Sequence, residues 1–345
     1  MPLVESRSII ARKKRGNLIA AGGGEGTWPR PRRTAQEDER MLTAALVGIL
    51  YLLAGPAILP SAVPPGPPPA GAASPVAALL REEAYIAYLR KDFSGCAALY
   101  ARSASGWNDL PAAAEAWYGA GACASEAGDR DRAFQYLASA AAAGFHGVRQ
   151  ADADIDLKPL RADPRWTPWL DRIRAQQTVH LAGVNREIFE LFEEDQADRP
   201  NDPNVNVDWA AVVEHDRAHR KRVLELIHAQ RLKVADDYYA AAMIFQHGNS
   251  AADFALAHQL CLKASELDPT NRAVRWLAAA SQDRYLMTVG KPQLYGTQFK
   301  RDPGGPWYLY PVDPSTTDEE RARWNVPPLS MMKKRAEALN TPQIR

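Results

Sequence analysis

The chain has 345 residues, 46% of them hydrophobic and 24% charged, with 42 Lys and Arg against 41 Asp and Glu and a formal net charge of +1. Its length accommodates two modest domains with cores of their own. The near-balanced charge excludes a chain-wide basic surface of the kind that binds nucleic acid, and no nucleic-acid partner is expected.

The charge imbalance is local. Residues 1–40 carry nine Lys or Arg against five acids and read as a basic disordered tail, with the Gly-rich run Gly22–Gly26 lacking any strand before it. Residues 41–59 read as a signal-anchor or signal peptide, because "LTAALVGILYLLAGPAIL" offers eighteen uncharged residues. A membrane-spanning helix needs about 17 to 25 apolar residues, and a secretory h-region fewer. Basic residues crowd the N-terminal side and the next one after the run is Arg81, so the tail is expected in the cytoplasm and the rest outside, in the cell envelope or periplasm. Ala70-Gly71-Ala72, the nearest small-x-small cleavage site, lies far beyond the apolar run, which favours a retained tether. A start at Met41 would instead make the run a signal peptide. Residues 60–76 contain "PSAVPPGPPPAGAASP" with seven Pro, a composition that favours extended polyproline II and reads as a linker; a Pro-rich run directly after the apolar segment also argues against a buried core helix there.

Residues 77–176 are Ala-rich and show a repeat. Trp117, Ala120 and Gly121 match the first half of a helical-hairpin unit, and Ala133 and Leu137 match the second after a twelve-residue step from Gly121, with Gly128-Asp129 at the turn. Leu80, Ala84, Cys96 and Tyr100 form a weaker preceding copy, with "KDF" at its turn. The segment "DADIDLKPLRADPRWTPWL" breaks the period and is expected to cap the stack through Trp166 and Trp169. Over residues 78–175 this pattern resembles tetratricopeptide repeats, in which paired helices stack and leave a groove that takes a protein or peptide partner. Cys96 and Cys123 fall in neighbouring helices of such a stack. In an exported protein they make a plausible disulfide, the alternative being two small buried residues at helix contacts. Cys261 has no evident partner in the sequence and reads as core.

Residues 177–345 change texture. A helical run to Phe192 is expected first, then a Pro- and Asn-rich loop, a helix from Asp208 to about Leu232, and three helices separated by "HGNS" and "LDPTN". Ala257, Ala264 and Pro269 again stand at repeat spacing. The aromatic runs "QLYGTQFK" and "PWYLYPV", joined by "RDPGG", predict a hairpin near 293–312 turned by Pro303 with Gly304 or Gly305. Thr317 with Glu320 marks the start of a short helix. The fold class expected is therefore mainly α: tetratricopeptide-like helical hairpins followed by a helical domain with one small β-hairpin.

The stretches "EEDQADR", "HDRAHR", "FQHG", "DRYL", "GKPQLYGTQF" and "DEERARWNVPPL" occur in this order between residues 193 and 329. Together they resemble the landmarks of the bacterial family called domain of unknown function 6624, over residues 180–340 approximately. The chain departs from that pattern in lacking a Gly-x-Pro turn between the second and third landmarks. The resemblance implies a domain and no assigned reaction.

The residues themselves suggest a site. His247 ends a helix beside Gln246, and Asp283 follows about one repeat length later, so the two are expected on neighbouring helices, with Asp283 supporting His247 as a general base. Arg284 offers a planar fork for a carboxylate or phosphate. Gln293, Tyr295, Thr297 and Gln298 supply neutral donors and acceptors for a small polar ligand, with Gly296 allowing close approach. The alternative is that these polar groups only satisfy backbone at a helix-to-strand junction. His215 and His219 share a helix face, but "DRA" between them lacks the Glu of the zinc-protease motif, so no metal is expected. No cofactor motif is present: the sequence has neither a phosphate loop nor a dinucleotide fingerprint nor a serine elbow. The expected function is an envelope-tethered interaction module with a polar-ligand-binding C-terminal domain, and the alternative is an extracytoplasmic hydrolase or lyase using the His247/Asp283 pair.

Overall fold

The computed structural model describes residues 75–107, 110–200 and 205–341. The basic tail, the apolar run 41–59 and nearly all of the Pro-rich linker lie outside these residues. Four antiparallel helices open the fold: α1 (Pro75–Leu89), α2 (Phe93–Ser105), α3 (Leu110–Glu126) and α4 (Arg130–Ala142), each packed on the next. The expected turns are their N-caps. Asp92 accepts from Gly95 N at 2.9 Å, and Asp129 accepts from Arg132 N at 3.1 Å just after Gly128, which has φ +80°.

Gly121 shows why the repeat pattern has the residues it does. A Cβ added there would lie 2.8 Å from the Leu137 side chain, so only glycine lets α3 and α4 approach this closely. Alanines fill most of the remaining contacts, and the first core runs from Ala77 to Ile173. A short α5 (Val148–Ala153), a 3-10 turn (Ile155–Leu160) and α6 (Trp166–Leu181) close its end. Trp166 and Trp169 are both buried, and Trp169 Nε1 donates to Leu137 O at 2.8 Å. Cys96 on α2 and Cys123 on α3 are joined as a disulfide with Cα atoms 5.9 Å apart. Cys261 lies buried in the second core.

The second core begins at Ile188. The boundary expected between residues 176 and 177 falls inside α6, whose Ile173 still belongs to the first core. The helical run expected up to Phe192 is interrupted after Leu181, and α7 (Arg186–Ala197) restarts after Asn185, whose side chain accepts from Glu187 N and Ile188 N. Helix α8 (Trp209–His228) is capped by Asp208 and ends at His228, before Gln230 turns left-handed with φ +54°. Helices α9 (Ala235–Gln246), α10 (Ala251–Leu267) and α11 (Arg272–Thr288) pack in sequence, separated where "HGNS" and "LDPTN" stand.

After α11 the chain forms an antiparallel hairpin of β1 (Phe299–Arg301) and β2 (Trp307–Leu309), with Phe299 opposite Leu309 and Arg301 opposite Trp307. Its turn is Asp302-Pro303-Gly304-Gly305, closed by Gly305 N donating to Asp302 O at 3.0 Å, and Gly304 supplies the positive φ of +74°. Helices α12 (Asp318–Arg323) and α13 (Leu329–Ala338) follow. Helix α13 returns to α1: Arg335 lies 3.4 Å from Glu82 and its guanidinium covers the ring of Tyr85 at 4.4 Å. The result is a mainly α protein with one small two-stranded sheet. Among the described residues no helix is long and apolar enough to cross a membrane.

Candidate functional site

Helices α7 and α8 each carry charges inside an apolar stripe. On α7 and just past its end, Ile188, Phe192, Asp195 and Arg199 recur at steps of four, three and four residues; on α8, Val212, Asp216, His219, Val223 and Leu226 do the same, and all nine are buried. Helical spacing therefore forces three acidic or basic side chains and a histidine into the interior beside leucines and phenylalanines. Such charges persist only when paired.

The pairing is dense. Arg199 Nη1 donates to the Asp195 carbonyl at 2.7 Å and to its carboxylate at 3.2 Å, while Nη2 donates to Asp216. His247, immediately after α9, places Nδ1 2.6 Å from Asp195 Oδ2, and Gln196 Nε2 donates to the same oxygen at 2.9 Å. His219 Nε2 lies 3.4 Å from Glu194. The turn holding His247 is rigid for a local reason: Gly248 packs so tightly on Asp253 that a Cβ would come within 2.4 Å, and Asp253 caps α10 by accepting from Asn249 N and Ser250 N.

Burial pushes the His247 imidazole below its ordinary range, against the pull of Asp195. Burial also works to raise the Asp195 carboxyl, but His247 and Arg199 outweigh it and hold it below the usual carboxylate range. The attraction that lowers Asp195 is to a protonated ring, whereas burial disfavours that form; the 2.6 Å contact keeps a proton between Nδ1 and Oδ2, with Arg199 supplying a permanent positive charge beside the carboxylate. A neutral ring that donates from Nδ1 presents a lone pair at Nε2.

This cluster is incompletely satisfied. The Gln246 side chain is fully buried and neither its oxygen nor its nitrogen has a hydrogen-bond partner; His247 Nε2, Arg199 Nε and His219 Nδ1 are likewise buried and unpartnered. Buried polar atoms in native proteins are almost always bonded; five of these atoms fall on four side chains here, whereas Ser125, Gln176, Trp209 and Ser265 each carry a single one elsewhere.

Asp283 does not support His247, contrary to the expectation from repeat spacing. Its carboxylate, fully buried, accepts from Leu294 N at 2.8 Å, Tyr295 N at 2.9 Å, Thr297 N at 2.9 Å and Thr297 Oγ1 at 2.8 Å. Burial pushes it above the usual range and these donors hold it back. Asp283 is thus committed to the loop, and the carboxylate on His247 Nδ1 is that of Asp195, from α7. Spacing by one repeat length suggested a neighbour but could not show which partners would claim its oxygens.

The other loop residues are committed in the same way. Gln293 Nε2 donates to Gln298 O at 3.0 Å and Tyr310 O at 2.7 Å, and its oxygen accepts from Gln298 N at 2.8 Å. Gln298 Nε2 donates to Ala280 O and Thr297 Oγ1. Gly296 takes φ +85°, which the reversal needs, and Tyr295 lays its ring 5.7 Å from Trp324. Arg321, almost fully buried, donates to Tyr295 O at 3.1 Å and Thr316 O at 2.7 Å. Among the predicted residues the structure therefore brings Gln246, His247 and Arg284 to one place, and Asp283, Gln293, Tyr295, Thr297 and Gln298 to another. Arg284 donates to the Gln246 carbonyl and lies 5.4 Å from the Phe254 ring, so part of its fork serves backbone.

His215 and His219 do not share a ligand, since His215 pairs with Asp198 at 3.0 Å on the exposed side and His219 with Glu194. Among the described residues no group of three or more metal-ligating side chains is placed to hold a metal ion. Asp195, Arg199 and Asp216 were not singled out from the sequence, although their i to i+4 place in apolar stripes was a usable signal. Neither protein-family models, curated proteins nor solved structures match this chain.

Proposed function

We propose that the C-terminal part of the chain binds a small polar ligand through Gln246 and His247, within an exported protein held at the cell envelope by residues 41–59. The observation that carries this reading is the Gln246 amide: a fully buried group with an unpartnered donor and an unpartnered acceptor, followed in the chain by a histidine whose Nε2 is in the same condition. Leaving a buried polar group unsatisfied costs about 1–3 kcal/mol, a cost that a bound ligand would remove. Disulfides persist in oxidising compartments, so the Cys96–Cys123 bridge supports export. The stacked hairpins α1 to α4 support a second role for the N-terminal half, as a surface for a protein or peptide partner.

The test is a thermal-shift screen of the full-length protein against small polar metabolites, repeated with His247→Ala and Gln246→Leu. A compound that stabilises the wild type and neither variant supports the reading. Equal shifts in all three proteins would remove both residues from the site.

The Asp195–His247 pair favours a second reading as a hydrolase or lyase. A neutral imidazole whose Nδ1–H is held by a carboxylate is oriented to take a proton at Nε2. If that reading holds, Asp195→Asn lowers turnover of the identified compound far more than its binding. If binding and turnover fall together, Asp195 serves only the fold.

A further inference from the structure

The buried cluster borders a cavity that the site around His247 does not explain. It measures about 70 Å³ and lies where α5 of the first core meets α7 and α9 of the second. Phe192 and Met243 supply apolar wall; Arg149, Gln150, Glu193 and Arg199 supply the charged and polar part that matters here. An apolar cavity of about 150 Å³ takes up benzene, so this one suits a group of only a few non-hydrogen atoms.

The polar wall is biased toward donors. Gln150 Nε2 and Arg199 Nε are buried and have no partner, and both can only donate. Arg149 stands at the mouth, half exposed, with its Nε 3.6 Å from Glu193. Burial pushes the Glu193 carboxyl up, against the pull of Arg149. Arg199 is already paired with Asp195 and Asp216, so its contribution to the wall is the unmet Nε–H, and Arg149 shares its charge with Glu193. Two unmet donor N–H groups, one of them on a guanidinium, and an apolar remainder ask for a small ligand with paired acceptor oxygens and a short hydrocarbon body.

We propose that this cavity is a carboxylate subsite, in which Arg199 Nε–H and Gln150 Nε2–H meet the carboxylate oxygens and Phe192 and Met243 pack the carbon chain. The carboxylate belongs either to a free short-chain acid or to the C-terminus of a peptide. The proposal rests on the reading that this part of the protein takes a small polar ligand, and it places one wall of the ligand site on the N-terminal half of the chain. Gln196 connects the two sites, since it lines the cavity and donates to the oxygen of Asp195 that faces His247.

Isothermal titration calorimetry of the full-length protein provides the test, with propionate and butyrate, the matching amides, and one short peptide with a free and with an amidated C-terminus. At least one carboxylate is expected to bind saturably, with its amide weaker by about tenfold or more, the size of one charge-assisted hydrogen bond. Gln150→Leu should weaken it to the same degree, and Arg149→Gln serves as a second variant should Gln150→Leu fail to fold. Binding by the acids identifies a free metabolite as the source; binding by the free-ended peptide alone identifies a chain terminus. The proposal is overturned if no carboxylate saturates, if acid and amide bind alike, or if both variants bind as the wild type does. Loss in Gln150→Leu with full binding in Gln246→Leu keeps the cavity and removes the Gln246 reading.

Discussion

Gln246 and Gln293 are the same residue in the same degree of burial, and they do opposite things. Gln293 uses its nitrogen twice and its oxygen once, tying two ends of a loop to the strand beyond it. Gln246 uses neither side-chain atom. The contrast extends further: Asp283, Thr297, Gln298 and Arg321 near Gln293 are bonded to backbone or to one another, whereas His247, which follows Gln246, and Arg199 and His219, which lie with His247 about Asp195, each keep one unpartnered nitrogen. A satisfied network rigidifies a fold, and an unsatisfied one destabilises it unless something else meets its atoms. The region around Asp283 is a scaffold, and the region around Asp195 is where we propose that a ligand binds.

The largest expected effect lies in the scaffold. Asp283→Ala leaves three backbone N–H groups and a hydroxyl without their acceptor, and at about 1–3 kcal/mol for each buried unsatisfied group it should cost about 4 kcal/mol or more in urea unfolding. A loss under about 1 kcal/mol would mean that the loop does not depend on Asp283, and the comparison would lose its satisfied half.

Asp195→Asn sharpens the other half. It removes the charge that faces Arg199 and His247 while keeping the shape, and breaking a buried ion pair in this way costs about 3–5 kcal/mol at most. Part of that is expected to be recovered because Arg199 retains Asp216, so a loss of about 2 kcal/mol is predicted, together with loss of ligand-induced stabilisation. Unchanged ligand response would detach the Asp195 cluster from binding.

Acid should act through the histidines. His247, His180 and His258 are all held below their ordinary range, in each case chiefly by burial. A group that binds its proton less readily when folded than when unfolded stabilises the fold above its unfolded value, near 6.5, and that contribution disappears as pH falls toward the folded value. Stability should therefore fall below about pH 6.5, by up to about 1.4 kcal/mol per pH unit for each such histidine. In chemical-denaturation curves recorded from pH 7 to 5, His247→Gln should have a shallower acid slope than the wild type. Identical slopes would show that His247 is not a buried neutral ring.

Much of the helical architecture was legible because it is written in local signals. Gly121 against Leu137, Asp92 and Asp129 at the caps, "HGNS" and "LDPTN" between helices, and Pro303-Gly304 at the hairpin turn each act within a few residues. The break between α6 and α7 was harder, because Asn185 caps a helix inside a run whose composition stays helical. The partner of His247 was out of reach of periodicity: Asp195 is 52 residues away, and Asp283, which has the right spacing, is taken by the loop. The return of α13 to α1, through Arg335 and Glu82 253 positions apart, left no trace in the sequence. What was available and decisive is the appearance of Asp195, Arg199, Asp216 and His219 at core positions of amphipathic helices, since charges spaced with the apolar stripe must be buried and must find one another.

The most direct test compares Gln246→Leu with Gln293→Leu by urea unfolding of the full-length protein without ligand. Removing the satisfied amide should cost about 2 kcal/mol or more, whereas removing the unsatisfied one should be neutral or stabilise by about 1 kcal/mol, since an unmet buried group is replaced by an apolar one of similar size. Equal destabilisation by the two substitutions would contradict the account, because it would place Gln246 in the scaffold and leave the His247 cluster without its mark of a binding site.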